Sequence, residues 1–474
     1  MKEKRAKFGF IILLLFTMCL VVQPVLAGGP ATLIPGEAPA VQLERSFAQA
    51  SSYPVTPHSI VPEVTEVGKI SMSVNGLGVY PGNTGTITII KPAGATVRKA
   101  YMTAATTGYS WYKLTAGDIE IDGTPVTWQI ADFPSNINSY NYMGDVTSLV
   151  KSKIDSASPG NVDFTITEGN TTNIDGEILA VIFDDPAQTT DNTVVLLFGA
   201  QKTNGDDFNI GLATPLDLTD PNLALDFSLG ISFSYQIGAN QASNVDVNGM
   251  RLTSSAGGED DGCHDNGCLL TVGGVGDTTA NPANPLATPV PFGNWRYDDE
   301  LYSLLPFVAT GDTLIKVHTL NPSNNDNIFF AALNLRSATA VVGEGIVLSP
   351  ASATNPIGTS HTVTAKVQDD NGNPVVGKLV TFEVTAGPNM GATGNGVTDS
   401  NGQVTFSYTG NVAGTDTIIA SFVDDSGKII PSNQATKQWD LTVPIPTPEF
   451  PTIALPMGML MGIVFIIHVI RRRD

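Results

Sequence analysis

The sequence has few of the residues on which most catalysis and polyanion binding depend. Among its 474 residues there are 5 histidines, 3 cysteines and 24 lysines or arginines, against 45 aspartates and glutamates. Nucleic-acid backbones are bound by clustered basic side chains, so a net charge of −21 excludes nucleic-acid binding. Hydrophobic residues nevertheless make up 42% of the chain, which is enough to form real cores.

Catalytic motifs are absent from the sequence as well. It contains no H-E-x-x-H pair for zinc, no G-x-S-x-G turn for a serine nucleophile and no phosphate-binding loop. No stretch keeps an amphipathic helical period over three turns. We therefore predict a protein that is not an enzyme and has no cofactor other than a candidate calcium ion.

Short apolar runs separated by turn residues dominate the chain from 67 to 337. Examples are the runs 177–183 and 193–198, and turn dipeptides such as Asn248-Gly249 are typical of antiparallel hairpins. The pattern predicts an all-β protein whose large domain, 67–337, is a β-sandwich or jelly-roll-like fold. The preceding residues, 28–66, are rich in Pro, Ala and Ser and indicate a linker or stalk.

Residues 343–443 form a second predicted unit. The segments 361–367 and 378–384 alternate between apolar and polar residues, and six or seven such strands in about 100 residues are typical of an immunoglobulin-like sandwich. Leu348-Ser349-Pro350 and the Asp-Asn-Gly-Asn-Pro turn at 370–374 resemble the bacterial Ig-like domains of invasin and intimin adhesins. This resemblance implies a rigid spacer.

The large domain also carries a resemblance. Residues 246–254, 296–302 and 321–330 resemble an extracellular β-rich domain that is common on methanogen surface proteins. That family has no established activity, so the resemblance implies a location and not a reaction.

The first 27 residues have the three parts of a secretory signal peptide. Four basic residues lie within the first seven positions, an apolar run follows at 8–22, and small residues precede Gly28. We predict cleavage after Ala27, with a permanent signal anchor as the alternative.

The last residues predict a membrane segment. Residues 452–470 are mostly apolar and are followed by Arg471, Arg472 and Arg473. Such a run is long enough to span a bilayer as a helix, and the arginines would lie on the cytoplasmic side. Everything between the two apolar ends would then be extracellular.

A sorting motif precedes this predicted helix: Pro448, Glu449, Phe450 and Pro451. Together with the apolar segment and the basic tail, residues 444–474 resemble the PEF-CTERM signal of methanogenic archaea, which an archaeosortase recognises and cuts. The resemblance implies a lipid-anchored protein on the cell surface of an archaeon. An uncut transmembrane anchor is the alternative.

Cys263 and Cys268 remain after removal of the signal peptide. In an oxidising exterior such a pair most often forms a disulfide, although free thiols or a metal site with His264 stay open. Asn170 begins the sequon Asn-Thr-Thr and is a candidate glycosylation site.

Acidic and glycine-rich loops offer the oxygen ligands that calcium prefers. The candidate calcium ligands are Asp260, Asp261, Asp265 and Asp277, with Asp298 and Asp299 as further partners. A solvated acidic face is the alternative interpretation.

Aromatic residues in the large domain present a second pair of alternatives. The aromatic residues concerned are Tyr109, Trp111, Tyr112, Trp128 and Trp295. They form either a platform on which sugars stack or ordinary core and cross-strand contacts.

These observations together predict a membrane-anchored surface protein that binds the cell envelope or a glycan, with the Ig-like unit as a spacer. A polysaccharide hydrolase that uses an Asp/Glu pair is one alternative, since two carboxylates can flank a glycosidic bond. A structural component of the envelope is the other.

Overall fold

The computed structural model describes most of both predicted domains and a C-terminal helix. The described residues are 59–79, 82–233, 243–256, 270–279, 300–322, 327–369, 371–424, 427, 429–441 and 454–472. The predicted signal peptide, 1–27, lies outside this part of the chain.

Nearly all regular structure in the first domain is β-strand. In chain order the elements are β1 (Val61–Gly68), β2 (Ile70–Leu77), β3 (Thr84–Lys91), β4 (Thr96–Thr106), β5 (Ile119–Ile121), β6 (Thr124–Pro125), β7 (Ile130–Pro134), β8 (Tyr140–Asp145), α1 (Thr147–Ser156), β9 (Gly160–Glu168), β10 (Ile174–Asp184), β11 (Asn192–Phe198), β12 (Asp207–Leu212), β13 (Ala224–Ser232), β14 (Ser243–Val247), β15 (Met250–Ala256), β16 (Thr271–Val272), β17 (Leu301–Ser303), a 3₁₀ turn (Leu305–Phe307), β18 (Leu314–Leu320), β19 (Asn327–Arg336) and β20 (Ala340–Val342). The predicted all-β class is confirmed.

These strands form four antiparallel sheets. Sheet A has the order β1-β11-β19-β13-β16, with β17 paired to β13, and sheet B has the order β2-β10-β4-β8-β7. Sheet C has the order β3-β9-β5-β6, and sheet D the order β15-β14-β18-β12-β20. Helix α1 buries Val150 and Ile154, one turn apart, in the core shared by sheets B and C.

The four sheets stack with three hydrophobic layers between them, in the order C, B, A, D. In β10, Leu179 faces the layer shared with sheet C, whereas Ile178 faces the layer shared with sheet A. In β11, Leu196 faces sheet B and Leu197 faces sheet D. Strands buried on both faces have continuous apolar runs, because neither face meets water.

The four-layer stack differs from the single sandwich that the sequence predicts. Strands β10 and β11 lie inside the stack, with buried residues at nearly every position. The continuous apolar runs 177–183 and 193–198 indicate burial on both faces, because a strand with one solvated face would alternate between apolar and polar residues.

The second domain is a two-sheet sandwich. Its strands are β21 (Gly345–Ser349), β22 (Ser352–Pro356), β23 (Ser360–Gln368), β24 (Leu379–Ala386), β25 (Thr393–Val397), β26 (Gln403–Thr409), β27 (Gly414–Val423), β28 (Ile429–Pro431) and β29 (Ala435–Asp440). One sheet has the order β21-β23-β26, and the other has the order β22-β29-β27-β24-β25 with β28 on β27. Phe382 stacks on Phe406 with ring centroids 5.4 Å apart, and the fully buried Trp439 packs edge-on against Tyr408 with centroids 5.6 Å apart.

The two domains are joined closely. Only Gly343 and Glu344 separate β20 from β21. The carboxylate of Asp191 accepts hydrogen bonds from the backbone of Ala351 at 3.0 Å and from the hydroxyl of Ser352 at 2.9 Å. Polar groups of the first domain therefore hold the start of the second.

Helix α2 (Ala454–Arg471) occupies the C-terminal tail. None of the helices in the described part of the chain has the combined length and apolar character that a membrane span requires. The predicted transmembrane helix 452–470 is therefore not supported by the structure.

Candidate functional site

Two exposed aromatic side chains mark the candidate binding surface of the large domain. Tyr109 and Trp111 lie on the loop 107–118 between β4 and β5, and 53% and 64% of their surfaces are exposed. Both have left-handed backbones, with φ of 62° and 57°. For bulky residues this conformation is an outlier that persists only where the surroundings enforce it.

Backbone hydrogen bonds to the turn between β7 and β8 enforce it here. The Tyr109 N–H donates to the Ile137 carbonyl at 2.6 Å, and the Trp111 N–H donates to the Asn138 carbonyl at 3.1 Å. The Tyr109 ring also packs edge-on against Phe233, with centroids 5.6 Å apart. The two rings are thus presented to solvent by a fixed backbone.

The second half of the same loop is fixed by side chains. The Asp118 carboxylate accepts hydrogen bonds from the Tyr112 hydroxyl at 2.7 Å and from the Thr115 N–H at 2.5 Å. The Tyr142 hydroxyl accepts a hydrogen bond from the Leu114 N–H at 2.9 Å. The first two contacts brace the loop internally, and the third joins it to β8 of sheet B.

The structure divides the aromatic residues that the sequence singled out. Tyr112 and Trp128 are partly buried and pack against the core between sheets B and C. Trp295 lies outside the described residues. Tyr109 and Trp111 are the two that can form a stacking surface.

An ion pair accompanies the exposed rings. The Lys113 ammonium lies 2.8 Å from the Asp132 carboxylate, which also accepts a hydrogen bond from the Tyr142 hydroxyl at 2.6 Å. Burial acts to raise the pKa of Asp132, but the hydrogen bonds from Lys113 and Tyr142 outweigh it and the pKa is lowered. Lys113 of the loop, two residues after Trp111, and Asp132 of β7 therefore provide an ammonium donor and an ionised acceptor.

The predicted calcium ligands fall mostly outside the described part of the chain. Those outside it are Asp260, Asp261 and Asp265, together with the partners Asp298 and Asp299. Asp277 is described, and its carboxylate accepts a hydrogen bond from the Gly274 N–H at 2.6 Å. A calcium ion at this loop stays a prediction.

The predicted disulfide, sorting motif and glycosylation site also stay predictions. Cys263, Cys268 and the motif 448–451 lie outside the described residues. Asn170 lies in the turn between β9 and β10, where its side-chain oxygen accepts a hydrogen bond from the Thr172 hydroxyl at 3.1 Å. Its glycosylation stays a prediction.

Sequence reasoning missed three buried acidic residues in the large domain. Glu168, Asp175 and Glu177 are between 0% and 1% exposed, and none of their carboxylate oxygens has a hydrogen-bond partner. Burial raises the pKa of Glu168 to about 8 and that of Asp175 to about 7, and it raises the pKa of Glu177 well above its usual range. The signal was available, because Asp175 and Glu177 directly precede the apolar run of β10.

Metal sites made of side chains alone are not found in the described ranges. No three His, Cys, Asp or Glu residues there come close enough to hold an ion between them. Any ion at the buried acidic residues would therefore need further ligands from the backbone or from water.

Comparison with known families identifies the second domain. Residues 351–437 match the family described as "Bacterial Ig-like domain (group 1)". The predicted resemblance to bacterial Ig-like domains is thereby confirmed for this part of the chain. A comparison with curated proteins gives no match.

Solved structures give only weak similarity. The D0-D1 domain of intimin matches at 14% identity over 53% of this chain and 92% of its own, with a TM-score of 0.18. The PKD domain of an M14-like peptidase from Thermoplasmatales archaeon SCGC AB-540-F20 matches at 20% identity over 21% of this chain and 92% of its own, with a TM-score of 0.15. The N-terminal domain of the Streptococcus gordonii adhesin Sgo0707 matches at 10% identity over 79% of this chain and 94% of its own, with a TM-score of 0.16. Scores this low carry no argument about fold or function.

Proposed function

We propose that the chain is an extracellular surface protein of an archaeon that binds the cell envelope or a glycan without catalysing a reaction. The observation that carries this proposal is the exposed pair Tyr109 and Trp111, held in left-handed backbone on a rigid loop. Rigid aromatic side chains with an apolar face and a polar edge are common anchors at binding surfaces. A sugar offers both an apolar ring face for stacking and hydroxyls for the Lys113–Asp132 pair.

The Ig-like domain acts as a spacer in this proposal. Its match to a bacterial Ig-like family supports this role, and so do the contacts of Asp191 with Ala351 and Ser352 across the domain junction. A spacer that is fixed to the binding domain would present the aromatic loop in one orientation.

Attachment to the membrane rests on the sequence at the two ends. The signal-peptide pattern at 1–27 supports export, and the pattern at 444–474 supports recognition by an archaeosortase. The tail, or a lipid that replaces it, would then hold the protein at the membrane. The intact mass of the native protein should lack residues 471–473, and a retained arginine tail would contradict processing.

A sedimentation experiment tests the binding function. Purified protein is mixed with isolated methanogen envelopes, and both sedimented protein and released sugar are measured. We expect saturable binding without release, weakened about tenfold or more by Trp111→Ala, because truncating an aromatic hot-spot residue at a binding surface costs about 2 kcal/mol or more. Leu218→Ala, at an exposed apolar residue elsewhere in the same domain, is the matched control.

The other outcomes separate the alternatives. Release of sugar with turnover would contradict the proposal and indicate a polysaccharide hydrolase. Self-assembly without envelope binding would instead indicate a structural component of the envelope. Binding that Trp111→Ala leaves unchanged would place the contact surface elsewhere.

A further inference from the structure

Two buried glutamates from different sheets face one another inside the large domain. Glu168 is the last residue of β9 in sheet C, and Glu177 lies near the start of β10 in sheet B. Their side chains are within hydrogen-bonding reach of each other. None of the four buried carboxylate oxygens receives a well-formed hydrogen bond, and the groups near them are the other glutamate and, for Glu168, the Val79 N–H.

Asp175 is a third buried carboxylate, and although the Thr107 side chain and the Phe233 N–H lie near it, neither forms a well-formed hydrogen bond with it. It is 0% exposed and lies at an irregularity of β10, where the pairing with β4 shifts between Ile174 and Gly176. Gly176 has a φ of 146°, and the Leu77 carbonyl oxygen is 2.2 Å from the position that a Cβ would take. Because Gly176 has no Cβ, the Leu77 carbonyl oxygen can approach the backbone between Asp175 and Glu177.

This arrangement is incomplete as a set of ionised groups. A carboxylate accepts hydrogen bonds and donates none, so two facing carboxylates cannot satisfy each other. Burying an unpaired charge costs several kcal/mol, and none of the ion pairs among the described residues involves these three acids. The missing partner is a cation or a shared proton.

We propose that Glu168 and Glu177 bind a calcium ion, with Asp175 contributing charge beside it. The ligands are hard oxygens, which calcium prefers, whereas zinc is bound mainly by nitrogen and sulfur. Calcium accepts about six to eight oxygens in flexible geometry, including backbone carbonyls and water. It can therefore accept two close carboxylates and take its remaining ligands from the backbone or from water.

The site connects to the aromatic loop through the backbone. Gly169, which follows Glu168, donates its N–H to the Asp118 carbonyl at 2.8 Å, and the Thr107 N–H donates to the Asn173 carbonyl at 3.0 Å. Thr107 and Asp118 are the two ends of the loop 107–118. A cation between Glu168 and Glu177 would thus fix the segment to which both ends of the loop are attached.

Thermal unfolding and hydrogen exchange of the full chain test the site. The protein is stripped with EGTA and then titrated with CaCl₂ to about 10 mM, which exceeds the dissociation constants of about 10⁻⁴–10⁻³ M of extracellular calcium modules. We expect the melting temperature of the large domain to rise by about 5 °C or more. We also expect slower amide exchange in 107–118, and a smaller effect from MgCl₂.

Three variants assign the effect to these residues. Glu177→Gln and Glu168→Gln should each fold in EGTA and lose the calcium response, because each removes one charged ligand. Asp277→Asn should keep it. A response lost in Asp277→Asn but kept in Glu177→Gln would place the ion at the predicted acidic loop and overturn the proposal.

The shared-proton alternative has a separate signature. It predicts no calcium response, together with stability in EGTA that falls between about pH 5 and pH 8 in the natural protein and falls less in Glu177→Gln, where Asp175 keeps its raised pKa. That result would also overturn the proposal. Because the readouts are stability and exchange, they do not depend on whether the aromatic loop binds a glycan.

Discussion

Two buried acidic sites, one in each domain, treat buried charge in opposite ways. In the Ig-like domain the Asp416 carboxylate is buried, but it accepts hydrogen bonds from the Trp439 indole at 2.6 Å, the Asn389 amide at 2.7 Å and the Tyr408 hydroxyl at 3.0 Å. In the large domain Glu168 and Glu177 are equally buried and have no donor. A carboxylate with a full set of donors belongs to the framework, whereas carboxylates without donors point to a partner that the chain does not supply.

The largest effect that would test this contrast is the loss of Asp416. Asp416→Ala should destabilise the Ig-like domain by about 3–5 kcal/mol, because it leaves the buried Trp439 indole N–H and the partly buried donors of Asn389 and Tyr408 unpaired. Hydrogen exchange with mass spectrometry would read this domain separately from the other.

Asp416→Asn is the control, since it keeps the shape and one acceptor oxygen and should cost less. A loss below about 1 kcal/mol in Asp416→Ala would mean that hydrogen-bond satisfaction does not distinguish the two domains.

Acid should weaken the Ig-like domain through His361. Burial and the nearby Lys437 ammonium lower the pKa of His361 to about 4, from an ordinary value of 6.5. The unfolded chain then binds the proton more strongly, so the stability from this residue is full above pH 6.5 and is lost as the pH falls toward 4. The expected loss is about 2 kcal/mol.

The measurement is the exchange-derived stability of the Ig-like domain as a function of pH. His361→Phe keeps an aromatic ring against Tyr408 and should flatten the profile in this window. An unchanged profile in the variant would assign the acid sensitivity to other groups.

Lys437 is the exception within the Ig-like domain. Its ammonium is buried without a hydrogen-bond partner, 4.8 Å from the centroid of the Trp439 ring, and burial lowers its pKa. Lys437→Met has a similar length and no charge to desolvate, so we expect it to stabilise the domain by about 1 kcal/mol. Lys437→Arg should destabilise it, because a guanidinium cannot become neutral. Denaturant unfolding of both variants would show whether the Lys437 ammonium lowers or raises the free energy of unfolding of the Ig-like domain.

The smallest effect concerns the junction between the two domains. Asp191→Ala removes the acceptor for the Ala351 and Ser352 N–H groups, at 3.0 and 3.3 Å. We expect the exchange of these amides to accelerate about fivefold, because one hydrogen bond contributes about 1 kcal/mol. Each domain should keep its stability within about 0.5 kcal/mol. Unchanged exchange at 351 and 352 would show that the apolar contacts of Val341 and Val347 hold the junction without Asp191.

Local sequence patterns predicted the β-class and the Ig-like domain well. Alternation in 361–367 and 378–384 reflects side chains that point to opposite faces of a strand, and this period survives in β23 and β24. The number of layers in the large domain was underestimated, because a short apolar run has the same composition whether one or two sheets cover it.

The candidate sites were less accessible to sequence reasoning. Tyr109 and Trp111 were recognised as aromatic residues, but their exposure follows from hydrogen bonds to residues 137 and 138 in another turn. The glycine-rich sequence around Asp277 indicates a calcium-binding loop. Glu168 and Glu177 lie on two separate strands, and their local sequence does not indicate that they form a pair.

The sequence by itself determined that this chain folds into antiparallel strands and that residues 351–437 form a bacterial Ig-like domain. Only the tertiary structure decided that sheets B and C bring Glu168 and Glu177 together and that a fixed loop exposes Tyr109 and Trp111. The physical reason is that strand periodicity acts over neighbouring residues, whereas the stacking of sheets depends on how whole apolar faces are paired.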